Sequence, residues 1–274
     1  MDVPIIYVYI PCRLDNEIIP TVKDLFEKSS NPQNIKVVIF NQDIPDKSFT
    51  QLDFPEEYNI LLINVDYNKF TNICRIRSLA KSYVEPSFQY YLGIDSHMRF
   101  DPNWDLTLIN ALNNYPNKSI LSAYPPSYTL ENGLDSNTIH FTNKFNIPKQ
   151  GNFPFVSYHS NKTQDYRIST IAGGFHFSKI KWLYEVGYDP LLNFRYEEVD
   201  LTYRSIEQNY DIVNYKDTPM YHLYDHSNRK LDDHQEEILI NNCTEYMLKK
   251  FNPYPIEILN QKYNINFLEY FNTI

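Results

Sequence analysis

The chain has 274 residues, 42% of them hydrophobic, enough for one large α/β domain with a substantial core or for two small ones. Its net charge of −9 excludes a protein that works by general attraction to nucleic acid, because that needs a basic face. No stretch approaches the ~20 apolar residues of a membrane span.

Three cysteines, Cys12, Cys74 and Cys243, have no metal-ligand spacing and form an odd set, as for reduced thiols. The start, Met1-Asp2-Val3-Pro4, lacks the basic and apolar parts of a signal peptide, so a cytoplasmic protein is expected. A single domain is the preferred reading.

Ile5 to Ile10 is a continuous apolar run of strand length, as for a strand buried on both faces of a parallel sheet; Pro11-Cys12-Arg13 is expected to stop it and open a binding loop. Asn16 to Ser30 has helical spacing, with Ile18, Val22, Leu25 and Phe26 on one side, and Ile35 to Phe40 is a second strand. Strand, helix and strand within about forty residues make a right-handed parallel βαβ unit. Asn41 to Tyr58 reads as loop, Ile60 to Val65 as a third strand, and Asn72 to Tyr83 as a helix with Ile73, Ile76, Leu79 and Ala80 inward.

The next run, from Tyr90 to Ile94, ends in Asp95-Ser96-His97-Met98-Arg99-Phe100. Ligands of open α/β sheets sit outside the carboxyl ends of the strands. Two residues apart in an extended segment, Asp95 and His97 point the same way, with the small Ser96 between them. A carboxylate and an imidazole so placed suit a divalent cation that in turn holds a diphosphate. The alternative is an aspartate capping the next turn and a histidine on the surface.

Beyond it, Trp104 to Leu112 is expected to be a helix and Ser119 to Tyr124 a strand, while Ser127 to Thr170 reads as long loops and short antiparallel strands. The double glycine in Ile171-Ala172-Gly173-Gly174-Phe175 marks either close approach of backbone to a ligand or a bulge. Lys179 to Val186 and Glu198 to Gln208 read as helices around a turn at Tyr188-Asp189-Pro190. Glu197 and Glu198 either serve a site or favour the helix dipole. Helix is again expected from Gln235 onward, interrupted at Asn252-Pro253-Tyr254-Pro255.

Taken in order, Ile10-Pro11-Cys12-Arg13, Asp95-Ser96-His97-Met98-Arg99-Phe100 with Trp104-Asp105, Ala172-Gly173-Gly174-Phe175, and Glu197-Glu198 followed by Tyr221-His222 resemble a known family. It is that of the polypeptide N-acetylglucosaminyltransferases acting on hydroxyproline, and more distantly the mucin-type polypeptide GalNAc-transferases. The resemblance covers roughly residues 3 to 230. It implies the GT-A fold, an α/β architecture with a mixed, mostly parallel sheet flanked by helices. The nucleotide-binding half would span about 1–100, the acceptor and sugar half about 101–234, and a helical tail 235–274.

The resemblance further implies a metal-dependent, retaining transfer of a sugar from a UDP-sugar to a hydroxyl on a polypeptide or glycan. The ligands of Mn²⁺, or another divalent cation, would be Asp95, His97 and His222, with His226 competing if that segment were helical. Pro11, Cys12, Arg13, Arg77, Asp95, Ser96, Gly173 and Gly174 would border the donor, and Glu197 and Glu198 would be catalytic. Tyr196 stands where the relatives have glycine, so its ring must turn away or fill space beside the sugar and favour a plain hexose. A catalytically weak nucleotide-sugar-binding protein and a metal-dependent hydrolase are the competing functions.

Overall fold

The computed structural model describes residues 6–43, 48–66, 72–131, 133–134, 140–146, 155–160, 170–192, 196–224, 246–247 and 249–250. Its strands, in chain order, begin with β1 (Ile6–Arg13), β2 (Ile35–Asp43), β3 (Ile60–Asp66), β4 (Tyr90–Ile94), β5 (Met98–Phe100) and β6 (Ser119–Ser122). Then come β7 (Tyr128–Thr129), β8 (Gly133–Leu134), β9 (His140–Asn146), β10 (Phe155–Ser160), β11 (Phe175–Lys179), β12 (Asp211–Asn214) and β13 (Met220–His222). The helices are α1 (Ile18–Glu27), α2 (Ile73–Ser78), α3 (Trp104–Asn113), α4 (Lys181–Glu185) and α5 (Glu197–Glu207).

Seven strands form one sheet in the order β12-β6-β11-β4-β1-β2-β3. All neighbours pair in parallel except β11, which runs antiparallel to both β4 and β6. Alternation along β1 suits it to an interior position, between β4 and β2. Ile6, Val8 and Ile10 join Val22 and Leu25 of α1 and Trp104 and Leu108 of α3 in one apolar cluster. Tyr7 and Tyr9 enter a second cluster with Ile76, Trp182 and Ile206, so helices cover both faces. Each aliphatic side chain fully buried this way contributes roughly 1.5–3 kcal/mol.

Contrary to expectation, Pro11 does not stop β1. The ladder with β4 ends at Tyr9 opposite Gly93, whereas the ladder with β2 continues to Arg13 opposite Gln42. At Pro11 the strand has therefore become an edge on its β4 side, where a missing N–H is tolerated. The same pairing carries β2 past Phe40 through the polar Asn41-Gln42-Asp43, with β3 on its other side.

The expected helix at 72–83 is α-helical only over Ile73–Ser78, then tightens to a 3₁₀ turn over Leu79–Tyr83. Two tyrosines of β1 grip this segment from below: Tyr9 donates to the Ile76 carbonyl at 2.7 Å and Tyr7 to the Ala80 carbonyl at 2.8 Å.

Small antiparallel pairs occupy the expected loop region, β7 with β8 and β9 with β10. A further pair, β5 with β13, has no counterpart in the sequence reading, and it shows that the segment carrying His222 is a strand rather than a helix. Cys243, His226 and the expected tail helices lie outside the described residues, apart from Tyr246, Met247, Lys249 and Lys250, whose backbone is helical. Among the described residues, no helix is long and apolar enough to cross a membrane.

Candidate active site

Asp95 follows the last residue of β4, and its backbone N–H donates to the Gly174 carbonyl at 3.4 Å, which sets the double glycine beside it. The β5–β13 ribbon then delivers the third partner. His222 pairs with Met98, and Leu223 N–H donates to the His97 carbonyl at 3.1 Å, so the two imidazoles lie with ring centroids 4.6 Å apart. One ligand atom from each of Asp95, His97 and His222 falls within 4.8 Å of the others.

The donor set, one carboxylate and two imidazoles, is that of a first-row divalent cation. The surroundings leave room for one. A Cβ at Gly174 would lie 2.8 Å from Asp95 Oδ2 and 3.7 Å from His222 Cδ2, so a side chain there would fill the cradle. These residues fit the expected cation.

Electrostatics hold the cluster ready. Arg77 Nη2 donates to Asp95 Oδ1 at 2.7 Å and Nη1 to Glu197 Oε2 at 2.6 Å. All three groups are largely withdrawn from water, so each charge is paired where it would otherwise be costly. Burial alone would raise the Asp95 pKa, but the His222 contact at 3.2 Å and the Arg77 guanidinium hold it well below the usual carboxylate range. Arg77 is held protonated by Glu197 and Asp95. It is a buried strut between the Asp95–His97–His222 cluster and the start of α5.

Glu198 is placed differently from its neighbour. Tyr124 donates its hydroxyl to both carboxylate oxygens, at 2.6 and 2.7 Å, and the Gly173 N–H adds a bond at 2.7 Å. Burial nevertheless pushes its pKa up to about 6. A Cβ at Gly173 would come 3.2 Å from Arg77 Nη1 and 3.5 Å from Glu198 Oε1. Neither Gly173 nor Gly174 has a positive φ, so what these glycines supply is space.

Tyr196 caps α5 with φ +63°, in the left-handed region. This is a backbone state that favours glycine and costs a tyrosine roughly 1–2 kcal/mol. Its half-buried ring packs against the second apolar cluster. Pro11, Cys12 and Arg13, expected to open a loop, are the last three residues of β1, and Cys12 is buried with its Sγ 3.6 Å from the Asp15 carbonyl. Ser96 is buried, and its hydroxyl faces Asp15. Asp15 and Tyr124 belong to the site and were missed in the sequence. Asp15, two residues before Glu17 at a helix start, reads as an ordinary helix-start acid, and Tyr124 is one of 24 tyrosines.

Residues 58–248 match the model of the glycosyltransferase (GlcNAc) family. No curated protein matches the chain. Its fold is similar to the crystal structure of S. aureus TarS 1–349 in complex with UDP-GlcNAc, with a TM-score of 0.56 at 13% identity over 95% of this chain and 73% of that one. A second crystal structure of TarS 1–349 gives 0.52 at 11% identity, over 89% and 72%. The mixed, mostly parallel sheet flanked by helices is the GT-A architecture.

Proposed function

Because the chain belongs to the glycosyltransferase (GlcNAc) family, we propose that it moves N-acetylglucosamine from UDP-GlcNAc to a hydroxyl of a polypeptide, with a divalent cation such as Mn²⁺. The observation that carries this reading is the Asp95–His97–His222 cluster at the carboxyl edge of β4, with two glycines kept bare beside it. The similarity to a fold crystallised with UDP-GlcNAc supports the donor. When bound, the cation would neutralise charge developing on the departing diphosphate.

The chain's own residues do the rest. Asp95, His97 and His222 would hold the cation, and Arg77 keeps Asp95 ionised and aimed. Gly173 and Gly174 let backbone lie against the donor sugar, and Glu197 and Glu198 form the wall at the start of α5. The strand ends Pro11, Cys12 and Arg13 border the uridine side of the sheet edge, and the first hundred residues make the nucleotide-binding half. Retention at the anomeric carbon follows from the family resemblance.

The test is incubation with UDP-GlcNAc, UDP-glucose and UDP-galactose, with and without Mn²⁺ and a hydroxyproline peptide. Transfer from UDP-GlcNAc to the peptide only with Mn²⁺ is expected, and the product's anomeric NMR coupling distinguishes retention from inversion. Donor cleavage that never labels an acceptor would make the protein a hydrolase, and binding without turnover a nucleotide-sugar binder. Full activity of H97A would remove the metal from the reading.

A further inference from the structure

The loop between β1 and α1 reaches across to the segment after β4 with two acids. Asp15 Oδ2 lies 2.8 Å from His97 Nδ1 and also accepts the Ser96 hydroxyl, while Asp15 Oδ1 accepts the Glu17 N–H at 3.1 Å. Two residues further on, Glu17 Oε2 accepts from Arg99 Nη2 at 2.6 Å and from the Tyr128 hydroxyl at 3.1 Å. Acids two apart in one segment thus hold side chains two apart in another. The Asp15 and His97 side chains are 8% and 4% exposed, so little water competes for the contact.

An ionised carboxylate only accepts, so the His97 nitrogen facing it must carry the proton. The other nitrogen then keeps its lone pair. Ser96 Oγ is also 3.3 Å from His97 Nδ1, and it is the group that would hydrogen-bond that nitrogen if the acid were absent. A hydroxyl can donate to Nδ1, which would drive the proton to Nε2 and block ligation there.

We propose that Asp15 is a positioning residue for His97: by accepting hydrogen bonds from the Nδ1–H and from the Ser96 hydroxyl, it presents the Nε2 lone pair to the divalent cation. This rests on the metal-site reading above. Carboxylates behind metal-binding histidines act in this way, by fixing tautomer and ring orientation.

Two measurements test it. In metal-free protein, ¹⁵N NMR of the histidine side chains, with the His97 signals assigned by their loss in H97A, should show Nδ1 protonated. D15A should move the proton to Nε2, and the double variant D15A/S96A should lose that preference. Calorimetric titration with Mn²⁺ and UDP should then show D15A weakened by ~10- to 100-fold. D15N, which keeps an acceptor oxygen, should recover most of that affinity, and thermal unfolding of the metal-free variants should remain cooperative. A His97 proton on Nε2 in the unsubstituted protein would overturn the proposal. So would unchanged Mn²⁺ affinity in D15A. If H97A itself left Mn²⁺ binding intact, the metal-site reading would fail instead.

Discussion

At the scale of single residues, the site depends on one cation serving two acids. Arg77 is the buried partner of both Asp95 and Glu197, so Arg77→Met would leave two withdrawn carboxylates with no positive charge between them. Breaking a buried pair by removing one member costs roughly 3–5 kcal/mol, and urea denaturation should show a loss of that size. Arg77→Lys keeps the charge but cannot span both acids with a planar fork, and is expected to recover only part.

Gly174→Ala is predicted to be worse for metal binding than for folding, because its methyl would meet Asp95 Oδ2 at 2.8 Å. Calorimetry with Mn²⁺ and UDP, set beside thermal unfolding, separates the two effects. Tyr196→Gly should relieve a left-handed tyrosine and leave the donor preference unchanged, since the half-buried ring packs against the second apolar cluster. A gain in UDP-GlcNAc use relative to UDP-hexoses would instead place that ring beside the sugar.

At the scale of elements, the antiparallel pairing of β11 with β4 sets His176 opposite Gly93. The imidazole is fully buried, with Nε2 2.7 Å from the Tyr188 hydroxyl, which in turn lies 3.0 Å from the Tyr91 hydroxyl. A Cβ at position 93 would fall 2.6 Å from His176 Cε1, so Gly93→Ala should destabilise the sheet by roughly 1–3 kcal/mol, or more if the strands cannot part.

Burial lowers the His176 pKa from 6.5 to about 3, which gives the pH dependence a definite sign. Below pH 6.5 the unfolded chain takes up a proton that the folded chain refuses until about pH 3. Stability is therefore full above 6.5 and falls steadily as the pH drops through that window. Thermal unfolding between pH 7 and 4 should show the decline, and His176→Asn should flatten it. Glu198 has the opposite sign over a narrower window. Its pKa rises from 4.5 to about 6, so its contribution is full below 4.5 and is lost as pH rises through 6.

At the scale of the molecule, the site is assembled from segments far apart in the chain, around residues 15, 77, 95, 124, 173, 197 and 222. Its far wall is tied down by a residue further still. Lys250 reaches Asp200 Oδ1 of α5 at 2.5 Å and also pairs with Asp189. Asp200 is 1% exposed at the side chain and otherwise bonded to Arg204 Nε at 2.8 Å. Lys250→Met should cost roughly 1–3 kcal/mol through a buried acid left with one cation fewer. Because α5 carries Glu197 and Glu198, turnover should fall further than the UDP affinity does. Equal losses in both would show that this tie does not reach the acids.

Much of this was readable from the residues alone. Uninterrupted apolar runs such as Ile6 to Ile10, alternating with helical spacing at Ile18, Val22 and Leu25, determine a sheet covered on both faces, because local periodicity states which sides must leave water. The abrupt end of β4 before Asp95-Ser96-His97 was likewise legible, because an acid, a serine and an imidazole break the apolar run. Tertiary structure alone decided which groups meet there. His222 reaches His97 through a short ribbon with no strand signal of its own, and its pairing is supplied by β5 rather than by propensity. Arg77 and Glu197 are 120 residues apart, and nothing in either segment names the other as its partner. Asp15 looks like any acid at a helix start. What distinguishes it is that the parallel pairing of β1 and β4 brings the loops following these two strands together at one edge of the sheet, and burial there makes the contact between an acid and an imidazole count.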